Sequence, residues 1–175
     1  MAAQPARDAW RDDLHGTLRS LDIRQVVYVP DAGHARLIDR CLADPELSTG
    51  ALTNEFEGVG MCVGAWLGGQ RAVMLMQSSG VGNVVNALGL AQSCGCPFFT
   101  VVTMRGEWGE FNPWQIPPGQ SAPRVLEAAG VVVHRVTDPA LVCDTVAAAG
   151  RLAFQSYIPV AVLISQQVTG AKVFK

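Results

Sequence analysis

Short β-branched runs alternate with helix-patterned stretches along the whole chain, and this alternation constrains the fold more than any other feature. QVVYVP (25–30), RAVMLMQ (71–77), FFTVVTM (98–104), VVVHRV (131–136) and PVAVLI (159–164) are almost continuously apolar and bounded by turn residues. Strands buried on both faces have this composition, and a parallel sheet buries both faces. The intervening segments 7–21, 34–44, 54–67, 82–93, 123–129 and 139–155 are predicted helices. The last has a clear start, with Asp138 as N-cap and Pro139 at the first helical position. GALT (50–53) is predicted to form a short extra strand that feeds the helix beginning at 54. The expected fold is α/β: a doubly wound, mostly parallel sheet flanked by helices, as a single domain over 1–175. One stretch, 104–122, is predicted to be a long irregular loop, and it carries Arg105, Trp108, Trp114 and Gln115. Loops of that length in a compact domain are commonly functional.

A chain of 175 residues can bury a proper core. With 49% apolar residues, 16% charged and a formal net charge of -2, disorder is disfavoured. No basic excess points to nucleic acid or an anionic membrane, so neither is an expected partner. Apolar runs are strand-length and the N-terminus resembles no signal peptide, which leads to the expectation of a cytoplasmic chain without membrane spans. Cys41, Cys62, Cys94, Cys96 and Cys143 are scattered, and the Cys94-x-Cys96 pair has no second pair at zinc spacing. Reduced thiols and no bound metal are the expectation.

Ligands of doubly wound sheets bind beyond the carboxyl ends of the strands. Four segments answer to that place: PDAGH (30–34), TNE (53–55), QSSGVGN (77–83) and the long loop. Asn54 is a good N-cap, and Glu57 stands where a capping-box acid reaches back to the cap. Glu55 is not needed for capping. On physical grounds it is either a solvated acid favoured by the helix dipole or a functional group. Behind it Val59, Cys62, Val63 and Trp66 trace an apolar face, while Gly58, Gly60, Gly64, Gly68 and Gly69 imply a closely approaching backbone or partner surface. QSSGVGN has the glycines of an anion-binding turn but neither established nucleotide spacing, so a simple strand-to-helix turn stays open. His15 and His134 are expected to be structural, and His34, in the PDAGH loop, is a candidate for a substrate-facing role. Ser78 and Ser79 lack the G-x-S-x-G elbow of a hydrolase.

Taken together, the loop after VP (29–30), EFEGVGMCVGAWLGG (55–69), LMQSSGVGNVVNALG (75–89), RGE (105–107), QIPPG (115–119) and YIPVAVLI (157–164) resemble one known family. The chain is similar over nearly its whole length to the pyrimidine-binding domain of thiamine diphosphate-dependent enzymes. It looks most like the alpha subunits of sulfopyruvate decarboxylases, with phosphonopyruvate decarboxylases as near relatives. The resemblance implies that Glu55 is the catalytic acid, hydrogen-bonded to N1′ of the cofactor's aminopyrimidine. It further implies cofactor contacts from Pro30, Ser79, Gly80, Gly82 and Asn83. For the substrate, a small 2-oxo acid with a distal anion, the candidates are Asp31 as an acid/base group and His34, Arg105 and Gln115 as donors. No G-D-G occurs in the sequence. By resemblance, therefore, the diphosphate and Mg²⁺ belong to a separate beta subunit, with further copies of this chain in the assembly. Asn54 and Phe56 depart from the sulfopyruvate pattern, which has an arginine and an acid there, and the distal group of the substrate stays open. Phosphonopyruvate, a carboligation on the same scaffold and a non-catalytic α/β binding protein are the alternatives.

Overall fold

The computed structural model describes residues 5–171. Seven helices and six strands follow one another as α1 (Pro5–Ser20), β1 (Ile23–Tyr28), α2 (Ala35–Ala43), β2 (Ser48–Ala51), α3 (Glu55–Leu67), β3 (Arg71–Gln77), α4 (Val81–Ser93), β4 (Phe98–Thr103), α5 (Ile116–Ala128), β5 (Val132–Val136), α6 (Val142–Ser156), β6 (Pro159–Ile164) and α7 (Gln166–Thr169). The strands form one sheet in the order β2-β1-β3-β4-β6-β5. Every pairing is parallel, so the expectation of a mostly parallel sheet is met in full.

Two apolar layers clamp the sheet, and β3 shows how the sequence makes both. Val73 and Leu75 enter the layer formed with α1, α2 and α6, whereas Met74 and Met76 enter the layer formed with α3, α4 and α5. Successive side chains of a strand point to opposite faces, so a strand covered on both sides is apolar along nearly its whole length. The other central strands, β4 and β6, are likewise buried throughout. Each fully buried side chain of this size contributes about 1.5–3 kcal/mol.

From β1 the chain moves outward to β2 and then returns to β3 by a helix on the opposite face. The strand order therefore reverses between β1 and β3, where the loops part and leave a crevice at the carboxyl ends. No helix among the described residues is long and apolar enough to cross a membrane.

Two predicted elements are corrected. The irregular stretch ends at 112: a 3₁₀ turn at Pro113–Gln115 leads directly into α5, which starts at Ile116 and not at 123. Prolines 117 and 118 disguised this start, yet they occupy the first turn, where a helix needs no N–H donors. Gly119 then allows the helix to touch the strand end, since a Cβ there would lie 1.8 Å from the Arg105 carbonyl oxygen. Secondly, Asp138 and Pro139 begin a 3₁₀ turn, Pro139–Leu141, and α6 proper follows at Val142. The short α7 has no counterpart among the predicted helices.

Candidate active site

At the start of α3 three side chains divide the work. Asn54 Oδ1 accepts from the Phe56 N–H at 2.8 Å, and the Glu57 carboxylate accepts from the Asn54 N–H at 3.2 Å and from the Thr53 N–H. This capping box satisfies the helix end. Glu55 is thereby left with no structural duty at its own helix terminus, yet it is 7% exposed. Its Oε2 accepts from Asn83 Nδ2 at 2.8 Å. No described group donates to Oε1. The turn at Ser78–Gly80, which joins β3 to α4, lies directly against the carboxyl: a Cβ on Gly80 would come within 2.2 Å of Oε1. Glycine at 80 is what lets backbone and carboxylate approach.

A second cluster ties the three neighbouring loops together. Asp31 Oδ2 accepts from Thr103 Oγ1 at 2.5 Å and from the Gly33 N–H at 2.9 Å, and Oδ1 accepts from Gln77 Nε2 at 2.9 Å. Ser79 Oγ donates to Gln77 Oε1 at 2.8 Å. Burial opposes the charge on Asp31, but the bonds from Thr103, Gln77 and Gly33 outweigh it and hold the carboxyl below its ordinary range. Asp31 is thus an anchor joining the ends of β1, β3 and β4, and the expected acid/base role does not suit a carboxylate fixed by three donors.

Arg105 follows β4. Its guanidinium donates to Glu110 through Nε at 2.7 Å and Nη2 at 2.6 Å, a two-pronged pair with the side chains 11% and 3% exposed. Glu110 also accepts from the Gly106 and Asn112 N–H groups and from Gln166 Nε2 at 2.9 Å. These bonds, the arginine's first, hold its carboxyl down from the ordinary 4.5 to about 2 against the opposing effect of burial. Gln166, fully buried, in turn accepts from the Glu107 and Trp108 N–H groups. The expected substrate cation is therefore already neutralised inside its own loop. A folded-state value below the unfolded one stabilises the chain fully above pH 4.5, and that stabilisation is lost as pH falls towards about 2. Unfolding followed across this window should lose stability more steeply for the natural chain than for Glu110→Gln; equal slopes would remove this pair from the account.

His34 does not face the rim. It is 1% exposed, its Nε2 lies 3.1 Å from the Val101 carbonyl oxygen, and Nδ1 has no partner. Burial lowers its pKa, with Asp31 opposing, so the ring is neutral and Nε2–H donates to Val101. Gln115 ends the 3₁₀ turn with a buried, unpartnered Oε1. Pro30 is exposed at the end of β1, and Gly82 and Asn83 are exposed in the first turn of α4. Glu55, Ser79, Gly80 and Asn83 are brought together; Asp31 joins them through Gln77; Arg105, His34 and Gln115 stand apart in arrangements of their own. Gln77, Thr103, Glu110 and Gln166 were not foreseen: Gln77 and Thr103 meet Asp31 from 46 and 72 residues away, Gln166 meets Glu110 from 56, and the nearby Arg105–Glu110 pair carries no motif. Among the described residues no group of three or more His, Cys, Asp or Glu side chains is placed to hold a metal. The cysteines are unpaired, and burial pushes the Cys41 and Cys62 thiols up to about 12.

Residues 30–173 match the family of pyruvate flavodoxin/ferredoxin oxidoreductase thiamine diphosphate-binding domains. The chain belongs to this family. Among curated relatives of this thiamine diphosphate-binding domain, the sulfopyruvate decarboxylase subunit alpha of Methanococcus maripaludis is 32% identical over 140 residues, 79% of this chain and 84% of the relative. A phosphonopyruvate decarboxylase of Streptomyces viridochromogenes is 35% identical over 99 residues, 56% of this chain and 25% of the relative. A solved 2-oxoglutarate:ferredoxin oxidoreductase from Magnetococcus marinus superposes with a TM-score of 0.70 at 14% identity, over 91% of this chain and 29% of that one, which supports the fold. The domain's kin are thus named as sulfopyruvate and phosphonopyruvate decarboxylases, several of them as alpha subunits.

Proposed function

We propose that this domain supplies the aminopyrimidine half of the active site of a thiamine diphosphate-dependent 2-oxo acid decarboxylase, completed by a beta subunit that holds the diphosphate and Mg²⁺. The observation that carries the reading is Glu55: a buried carboxyl that caps nothing, with one oxygen fixed by Asn83 and the other meeting no described donor. The donor set fits the cofactor, since an acid at a ring nitrogen must keep one oxygen available for it. When bound, thiamine diphosphate supplies the electron sink for loss of CO₂ from the 2-oxo acid. Glu55 Oε1 would hold the proton at N1′, Asn83 fixes the plane of the carboxyl, and the Gly80 turn shields it from water. The same observations disfavour the non-catalytic alternative, in which Glu55 would be a solvated acid of the helix terminus.

The substrates named for the relatives set the order of testing. First comes 3-sulfopyruvate, giving sulfoacetaldehyde and CO₂, then phosphonopyruvate, then a carboligation. The alpha-subunit names of the relatives support the second chain. So does the outer face of α3 and α4, where Phe56, Met61, Leu67, Val85 and Leu90 are exposed while Gly60 and Gly64 meet no neighbour within 4 Å. That face is where the beta subunit or a further copy of this chain would pack. Gly60→Leu should therefore impair assembly of the complex, read by its sedimentation, while leaving the unfolding midpoint of the isolated chain within a few degrees; an intact complex would contradict packing there.

The deciding experiment mixes this chain with a G-D-G-bearing partner, Mg²⁺ and thiamine diphosphate, and follows CO₂ from 3-sulfopyruvate, phosphonopyruvate and pyruvate in parallel. Release that needs both chains supports the proposal. Cofactor binding without release from any 2-oxo acid would move the reading to carboligation, and no cofactor binding would move it to the non-catalytic protein.

A further inference from the structure

Three side chains at the mouth of the β1/β3 crevice form a chain of hydrogen bonds with a fixed polarity. An ionised carboxylate can only accept, so Gln77 must turn its NH₂ towards Asp31 Oδ1, where Nε2 lies at 2.9 Å. The amide has one oxygen, and it is left facing Ser79, whose hydroxyl donates to it at 2.8 Å. Ser79 has a single O–H, and that hydrogen is committed. Among the described residues nothing donates to Ser79 Oγ, which keeps its two lone pairs.

Ser79 also lines a cavity of about 600 Å³ whose other walls are Asn112, Pro113, Trp114, Pro117 and Pro118. Its size and its largely apolar lining with few polar groups are those of a small-ligand site. The next residue, Gly80, lies against the Glu55 carboxyl. A ligand reaching from Glu55 to Ser79 thus meets two groups that accept and an apolar wall that includes an indole ring.

We infer that Ser79 is a dedicated acceptor for a second N–H donor of the bound heterocycle, and that Asp31, acting through Gln77, is the positioning residue that makes it one. The inference rests on the proposed function, within which the donor is the exocyclic 4′-amino group of the aminopyrimidine. It also gives the half-buried Asp31 anchor a chemical consequence: the direction of its hydrogen bonds selects amine over carbonyl at the other end of the relay.

The polarity can be reversed. In Asp31→Asn the amide oxygen stays with its two donors, the Thr103 hydroxyl and the Gly33 N–H, and the NH₂ faces Gln77. Gln77 then turns its oxygen to residue 31 and its NH₂ to Ser79, whose hydrogen is freed to point at the ligand. The probes are thiamine diphosphate and its 4′-oxo analogue, each titrated with Mg²⁺ into the assembled complex and read by tryptophan fluorescence. The natural complex should prefer the 4′-amine. Asp31→Asn should cut that preference by about tenfold or invert it, as expected for exchanging one satisfied hydrogen bond for one mismatch. Ser79→Ala should reduce the same ratio without inverting it, which keeps the test sharp if the residue-31 variant folds poorly. A purely structural role would weaken both probes equally and leave the ratio unchanged in all three proteins, and that result would overturn the inference alone. A complex that binds neither probe would overturn both the inference and the function on which it rests.

Discussion

Glu55→Gln should abolish cofactor-dependent turnover in the assembled complex, with a loss of about 10²–10⁴-fold in kcat, the usual contribution of a positioned acid or base. The amide preserves the shape of the side chain and can still meet Asn83, so folding and assembly should be unaltered. The change removes one thing only: an oxygen at Oε1 able to keep a proton on a ring nitrogen. The capping of α3 belongs to Asn54 and Glu57 and stays intact in this variant. A catalytic loss therefore cannot be traced to a frayed helix. Near-normal kcat with Glu55→Gln would end the proposed mechanism, whatever else the complex binds.

Gly80→Ala should have the next largest effect, although it adds a single carbon and touches no ligand. The new Cβ would come 2.2 Å from Glu55 Oε1 and would lie close to the Cδ and Cγ of the same side chain as well. The carboxyl must move, and a displacement of about an ångström in a catalytic group can cost about 10²-fold in rate. The stability cost should be the smaller effect, about 1–3 kcal/mol as for other overpacked sites. Kinetics and denaturant unfolding on the same variant separate the two. Full activity would mean that Glu55 tolerates a range of positions, and the close approach of the turn would then have no catalytic meaning.

What could be read from the sequence followed the range of the interactions. The strands were legible because β3, β4 and β6 are covered on both faces and are therefore apolar at nearly every position. The capping box at Asn54 and Glu57 is a contact of three residues' span, and it too was legible. α5 was not, because Pro117 and Pro118 read as breakers until it is known that they fill a first turn. The site divides in the same way. Glu55, Ser79, Gly80 and Asn83 were singled out by the family resemblance, position alone leaving Glu55 and the QSSGVGN turn open, and the fold brings the four together. Arg105 looked like a free cation because Glu110, five residues on in an irregular loop, carries no mark of the pairing. His34 lies on the expected loop, but only the packing of α2 against the sheet shows that its ring turns inward to Val101. Asp31 was noticed as a carboxylate near the rim; its role as an anchor depends on Thr103 and Gln77, 72 and 46 residues away.

The central claim is that Glu55 governs proton transfer on a cofactor shared between two chains. It is tested most directly by exchange of the C2 proton of bound thiamine diphosphate for deuterium, followed by NMR without substrate. The complex of this chain with its G-D-G-bearing partner should accelerate that exchange by orders of magnitude over the free cofactor. Neither chain alone should do so, and the Glu55→Gln complex should bind the cofactor yet exchange near the free rate. Equally fast exchange with glutamine at 55 would contradict the account at its centre.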